Sequence, residues 1–314
     1  MPIPKPTREH SPKAPSAFEK AAADLRQPTA AFPNVSPRWL LKAGAIAFLA
    51  ALGCAWLTLC LLYWQGNWQL LYHPNPTITR TPASVGLTYE PIHFAATETG
   101  TTQLTGWWLP DPNASRTVLY LHGADGNLSN TLESLTALHQ QGLAVFAIDY
   151  RGYGQSQPAR SNEKQLRQDA EWGLTWLTVT RSIPAKSIIV YGSGLGANLA
   201  AELAANHNEL AGVILEQPLQ NALGPVFNDP RSRLVPARWL VQDRYDLVAS
   251  TNRLRVPSLW LFAGNDPNQK SAASQTCEDA YRAVKVQKES VWLQSPFSAD
   301  PHFAESLQRW LDNL

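Results

Sequence analysis

The side chains that could do covalent chemistry lie in a few short segments of the 314-residue chain. Ser193 stands in Gly192-Ser193-Gly194-Leu195-Gly196, between the apolar run SIIVY (187–191) and the Ala-rich LGANLAAELAANH (195–207). His122-Gly123-Ala124-Asp125-Gly126 follows the apolar run TVLYL (117–121). A loop of such small residues lets backbone N–H groups point at a substrate oxyanion. Asp149 closes AVFAID (144–149) ahead of a Gly-rich loop, Asp266 closes LWLFAGND (259–266), and His302 follows Asp300-Pro301. A serine, a histidine and a carboxylate are the parts of nucleophilic acyl transfer, in which the imidazole takes the hydroxyl proton and the acid holds the imidazole. No His-Glu-x-x-His or clustered Asp/His pattern suggests a metal. Cys54, Cys60 and Cys277 form no C-x-x-C pair. The first parallel strand ends in HGADGN, without the glycine pattern of a dinucleotide cofactor. No cofactor is expected. The net charge of +1 excludes nucleic-acid binding through bulk charge.

The elements that must position these groups read as strand and helix in turn. Strand-like runs are 88–94, 103–109, 117–121, 144–149, 187–191, 212–216, 257–263 and 290–294, the later ones apolar on both faces. A helix opens near Asn162 with Gln165 three residues on. Others span 195–207, 273–284 and 302–311. This alternation predicts a mainly parallel sheet with helices on both faces, opened by an antiparallel pair. The segment 217–256 is expected to form short helices over the site.

Before this unit, which takes in residues 66–314, come a tail and a hydrophobic helix. Residues 1–38 hold eight prolines among scattered charges and read as disordered. Residues 43–64 carry no charge over 22 positions, enough to cross ~30 Å of hydrocarbon, so 39–65 is predicted to be a transmembrane helix. Trp39 and the group Tyr63, Trp64 and Trp68 suit its two interfaces. Lys5, Arg8, Lys13, Lys20, Arg26, Arg38 and Lys42 precede the span, and the next basic residue is Arg80. The positive-inside rule then places the N-terminus in the cytoplasm and the larger unit across the membrane, in the periplasm if the cell is bacterial.

In this order, LLYHP, GWWLP (106–110), YLHG, DYRGYG, GSGLG and AGND resemble the α/β-hydrolase superfamily, from about Trp68 to Leu314. They are most similar to its membrane-anchored, lidless members related to serine aminopeptidases and acyl-protein-thioesterase-like hydrolases. The resemblance implies a nucleophilic serine at the centre of G-x-S-x-G. Gly192 and Gly196 as the flanking glycines put Gly194 at that centre. Ser193 as nucleophile would leave Tyr191 and Leu195 at the flanking positions, where bulk prevents the close strand–helix crossing. Asp266 matches the acid, Ser298 stands where the histidine belongs, and His302 lies one turn later. The Ala124 and Leu195 N–H groups match the oxyanion hole. The implied protein is a membrane-anchored hydrolase fold without an ordinary triad, binding a small acyl ligand or a protein partner. The alternative is an active esterase, thioesterase or peptidase working through a displaced Ser193 and His302. His122 reads as a packing residue of its loop.

Overall fold

The computed structural model describes residues 36–96, 100–264, 277–294 and 296–314, together with Ala17 and Lys20. The Pro-rich tail therefore lies outside the described residues, except for Ala17, Lys20, Ser36 and the two that follow Ser36. Those two, Pro37 and Arg38, already belong to a helix that runs Pro37–Gly66. Proline suits a first helical turn because that N–H has no partner in any case. The most apolar window of this helix has no buried residue, and the helix is long and apolar enough to cross a membrane. The chain divides into two compact units, Met1–Ala55 and Trp56–Leu314, so the last turns of the helix belong with the larger unit.

In that unit the short strand β1 (His73–Pro74) is followed by β2 (Glu90–Ala96), β3 (Thr102–Leu109), β4 (Thr117–Leu121) and β5 (Asp125–Gly126). Then come β6 (Ala144–Asp149), β7 (Ile188–Ser193), β8 (Gly212–Glu216), β9 (Ser258–Ala263) and β10 (Lys288–Leu293). Eight of them form one sheet in the order β10-β9-β8-β7-β4-β6-β3-β2. The pairs β2–β3 and β3–β6 are antiparallel. From β6 through β4 to β10 the sheet is parallel. The expected antiparallel opening is thus present.

Central strands show why the runs lack alternation. Leu119, Val190 and Leu215 enter a core shared with Leu166 and Leu199 of the helices Glu163–Thr175 and Leu195–Asn206. Their neighbours Tyr120, Tyr191 and Ile214 enter a second core with Leu135 and Trp310 of Leu132–Gln140 and Pro301–Asp312. Both faces are covered, so both sets of side chains must be apolar. Burial of this kind stabilises by ~25 cal/mol per Å² removed from water, and Trp260 and Trp310 are fully buried. Asn162 caps its helix by accepting from the Gln165 N–H at 3.0 Å, as its position in the sequence predicts. The segment after β8 forms the short helices Gly224–Asn228, Pro230–Arg233 and Ala237–Leu240, then Leu247–Arg253.

Candidate active site

After β4 the chain passes to β6 on one side of it and returns to β7 on the other. In an open parallel sheet such a reversal leaves a crevice at the carboxyl ends of the two strands, where ligands bind. The loop His122–Gly126 leaves β4 there, and the turn Gly192–Gly196 leaves β7. A Cβ added to Gly196 would overlap the carbonyl oxygens of Leu121 and His122, and one on Gly192 would overlap the Gly196 carbonyl. These two glycines therefore make the close crossing, which fixes the register of the turn. Its centre is Gly194, at φ +56° and ψ −118°, and a Cβ there would meet nothing nearer than Gly123 Cα at 4.0 Å. The centre of the turn is thus open and strained, with glycine in it. No side chain caps the helix Leu195–Asn206. Its first N–H groups and positive dipole end face the crevice.

The opposing loop is held from three sides. His73 N–H donates to the Ala124 carbonyl at 3.0 Å, and β1 pairs in parallel with β5. Tyr150 Oη donates to the His122 carbonyl at 3.0 Å and Tyr153 Oη to that of Ala124 at 2.8 Å. His122 Nδ1 lies 2.8 Å from the Gly123 carbonyl, which can only accept, so Nδ1 carries the proton. That bond pulls the Gly123 oxygen toward the His122 ring. In a trans peptide the next N–H points the opposite way, so the Ala124 N–H faces away from His122.

The fold is similar to that of solved structures. An esterase of Pyrococcus furiosus matches with a TM-score of 0.57 at 18% identity, over 77% of this chain and 97% of the esterase. The family model of serine aminopeptidase, S33, matches residues 112–242. The fold is that of the α/β hydrolases. An uncharacterised protein of Mycobacterium tuberculosis is 28% identical over 240 residues, 75% of this chain and 78% of that protein. An uncharacterised membrane protein of Saccharomyces cerevisiae is 32% identical over 138 residues, 43% of this chain and 48% of that protein.

The residues expected to supply the superfamily's chemistry are placed unevenly. Ala124 and Leu195 flank the crevice with backbone donors. Ser193 is directed below the turn, with its hydroxyl in reach of Tyr120 and Glu216. Tyr191 Oη donates to Glu216 Oε2 at 2.6 Å, and burial pushes the Glu216 carboxyl up. Ser298 is half-buried in the short turn Phe297–Ala299. His302 projects into solvent with its side chain 76% exposed, its Nδ1 3.1 Å from Asp300 Oδ1. Asp300 caps the last helix, accepting from the N–H groups of His302 (2.8 Å) and Gln294 (2.6 Å). Those two donors hold its carboxylate below the usual range. Ser193 and His302 thus engage different partners, and no hydrogen bond joins them among the described residues. Asp266 lies outside the described residues.

Sequence reasoning missed the buried pair under the loop His122–Gly126. His122 Nε2 is 3.5 Å from Asp149 Oδ1, both side chains 2% exposed, and Nε2 has no other partner among the described residues. Burial lowers His122 to about 4 and raises Asp149 to about 7, the latter opposed by the Leu128 N–H that donates to it. The two groups are in contact without a hydrogen bond between them, and burial favours the uncharged form of each. The sequence signal was available: Asp149 ends one central strand, His122 follows its neighbour, and both strand ends meet in the parallel register of β4 and β6.

Proposed function

We propose that this is a single-pass membrane protein whose α/β-hydrolase-fold unit binds an acyl ligand or a protein partner without Ser-His-Asp turnover. One observation carries the reading: Gly194 occupies the strained centre of the turn between the crossing glycines Gly192 and Gly196. A nucleophile is required there and glycine has no side chain. What the site retains is a pair of backbone donors, and such donors bind a carboxylate or ester oxygen without chemistry. Residues 1–38 form the tail, 39–65 the anchor and 66–314 the binding unit. The seven basic residues before the apolar helix favour a cytoplasmic N-terminus.

The test is hydrolysis of short p-nitrophenyl esters by the full chain in detergent. No turnover above buffer is expected, while a library of fatty acids and acyl compounds should contain members that raise its Tm by mass action. Turnover that disappears with Ser193→Ala and with His302→Ala would replace this reading by the displaced-pair hydrolase.

A further inference from the structure

A second cleft among the described residues lies away from the turn. It measures about 960 Å³ and is bordered by Leu223, Phe227, Val235, Trp239, Arg238 and Arg244, all from the segment that follows β8. That segment is docked on the end of the long helix. Trp56 Nε1 donates to the Leu234 carbonyl at 2.9 Å and Tyr63 Oη to the Val226 carbonyl at 2.9 Å. Cys60 and Tyr63 are buried and Leu59 is partly buried in the same core. Positions 56, 59, 60 and 63 form one stripe of a helix. The end of the helix is therefore packed against these short helices rather than tethered by a loose linker.

This contact sets the depth of the segment in the bilayer, resting on the reading of Pro37–Gly66 as a membrane anchor. Twenty helical residues cross ~30 Å of hydrocarbon. Counted from Pro37, the earliest possible start, the hydrocarbon ends at Trp56. Counted from the first residue after Lys42, it ends near Leu62. Leu234, bonded to Trp56, then lies at the boundary in the first case and roughly 9 Å inside it in the second. Its surface agrees. Outside the long helix, the large apolar side chains most exposed among the described residues are Trp239 (87%), Val179 (70%) and Leu234 (62%). Trp239 and Leu234 belong to the segment, and exposed Arg233 and Arg238, adjacent to them in sequence, have no carboxylate partner among the described residues, whereas Arg231 is paired with Asp229. Exposed apolar side chains next to unpaired arginines are the composition of a surface seated in an anionic lipid interface.

We propose that the segment Asp229–Val241 rests in the lipid interface beside the anchor, so that the cleft beneath it opens to the bilayer and takes the acyl chain of an anionic membrane phospholipid. Such a ligand enters sideways, without crossing water.

The test uses nitroxide labels on the full chain, with Cys54, Cys60 and Cys277 replaced, in nanodiscs of phosphatidylcholine and phosphatidylglycerol at about 3:1. Collision with oxygen, which concentrates in lipid, is compared with collision with a water-soluble nickel chelate. Leu49→Cys reports the anchor. Trp239→Cys and Leu234→Cys report the segment, and Phe227→Cys and Ser232→Cys the cleft. Asn113→Cys, in an exposed turn at the opposite end of the sheet, reports water. The oxygen-to-nickel ratio at 239, 234, 227 and 232 should exceed that at 113 by at least threefold and approach that at 49. A lipid value at 49 with water values at 239 and 234 overturns the proposal and leaves the anchor intact. A water value at 49 removes the anchor reading and the proposal with it. Lipid values at 239 and 234 with water values at both 227 and 232 overturn the assignment of the cleft.

Discussion

The turn after β7 and the entrance to the last helix are two halves of one expected site, and they are built very differently. At the turn every constraint on backbone geometry is met. Two glycines make a crossing that no other residue could, a third takes the strained conformation, and tyrosines, His122 and β1 hold the opposing loop. At the last helix Ser298 and His302 obey only local rules: a short turn, then a helix capped by Asp300 with an exposed imidazole beside it. The turn is thus fixed by contacts between distant strands, while among the described residues the entrance to the last helix is fixed by its own neighbours in sequence. A strained turn costs of order 1–3 kcal/mol with a non-glycine residue, so glycine at 194 relieves the fold rather than burdening it.

The comparison breaks most sharply at the glycines themselves. Gly196→Val should abolish folding, because its side chain must displace the backbone of Leu121 and His122, and losses above ~4 kcal/mol exceed what most domains can spare. Gly194→Ala should cost only ~1–3 kcal/mol, since the space is open and only the backbone angle is unfavourable. Thermal unfolding of both variants checks this, and equal losses would mean that the register assigned to the turn is wrong.

Chemistry offers the next largest effect. Gly194→Ser and Ser298→His should each stay near background, since triad members act as a unit. The double variant should hydrolyse p-nitrophenyl esters at least ~100-fold faster than either, at the low end of general-base effects. Its failure, with the fold intact, would show that the loop carrying Ser298 cannot aim an imidazole at the turn.

The buried pair gives a pH test of the loop His122–Gly126. Asp149 is raised from 3.8 to about 7, so the folded chain keeps a proton that the unfolded chain releases. Its contribution to stability therefore falls as pH rises from about 4 to about 7. His122 is lowered from 6.5 to about 4, so its contribution rises across about 4 to 6.5. The two slopes oppose each other and largely cancel. Asp149→Asn should leave the rising slope and His122→Gln the falling one, each of order 3–4 kcal/mol at most over its window. Unfolding of the full chain in detergent between pH 4 and 7 measures both, and parallel slopes in the two variants would contradict the pairing. The smallest effect is expected at the surface of the same loop. His73→Ala removes an ion pair with Asp125 whose members are 59% and 81% exposed, and should change stability by less than ~0.5 kcal/mol, because the β1–β5 backbone bonds remain.

Much of this was legible in the chain. Runs 117–121, 144–149 and 212–216 became strands with those bounds, because a strand covered on both faces must be apolar throughout. The helix Leu132–Gln140 went unread, being only nine residues long and following directly on a loop. The register at Gly194 was readable because steric crowding acts on neighbours in sequence. The roles of His73, His122, Asp149 and Glu216 were not, since each depends on a partner from a distant strand. Nor could the docking of Trp56 and Tyr63 be foreseen, because an apolar helix shows no preferred face when lipid and protein are both apolar.

The most direct test of the central claim is labelling of the full chain, in its membrane, with a fluorophosphonate probe, which reports a serine activated for attack. The account predicts no labelling of the wild-type chain above that of Ser193→Ala, and labelling once Gly194→Ser and Ser298→His are combined. Stoichiometric labelling of the wild type that Ser193→Ala abolishes would contradict it.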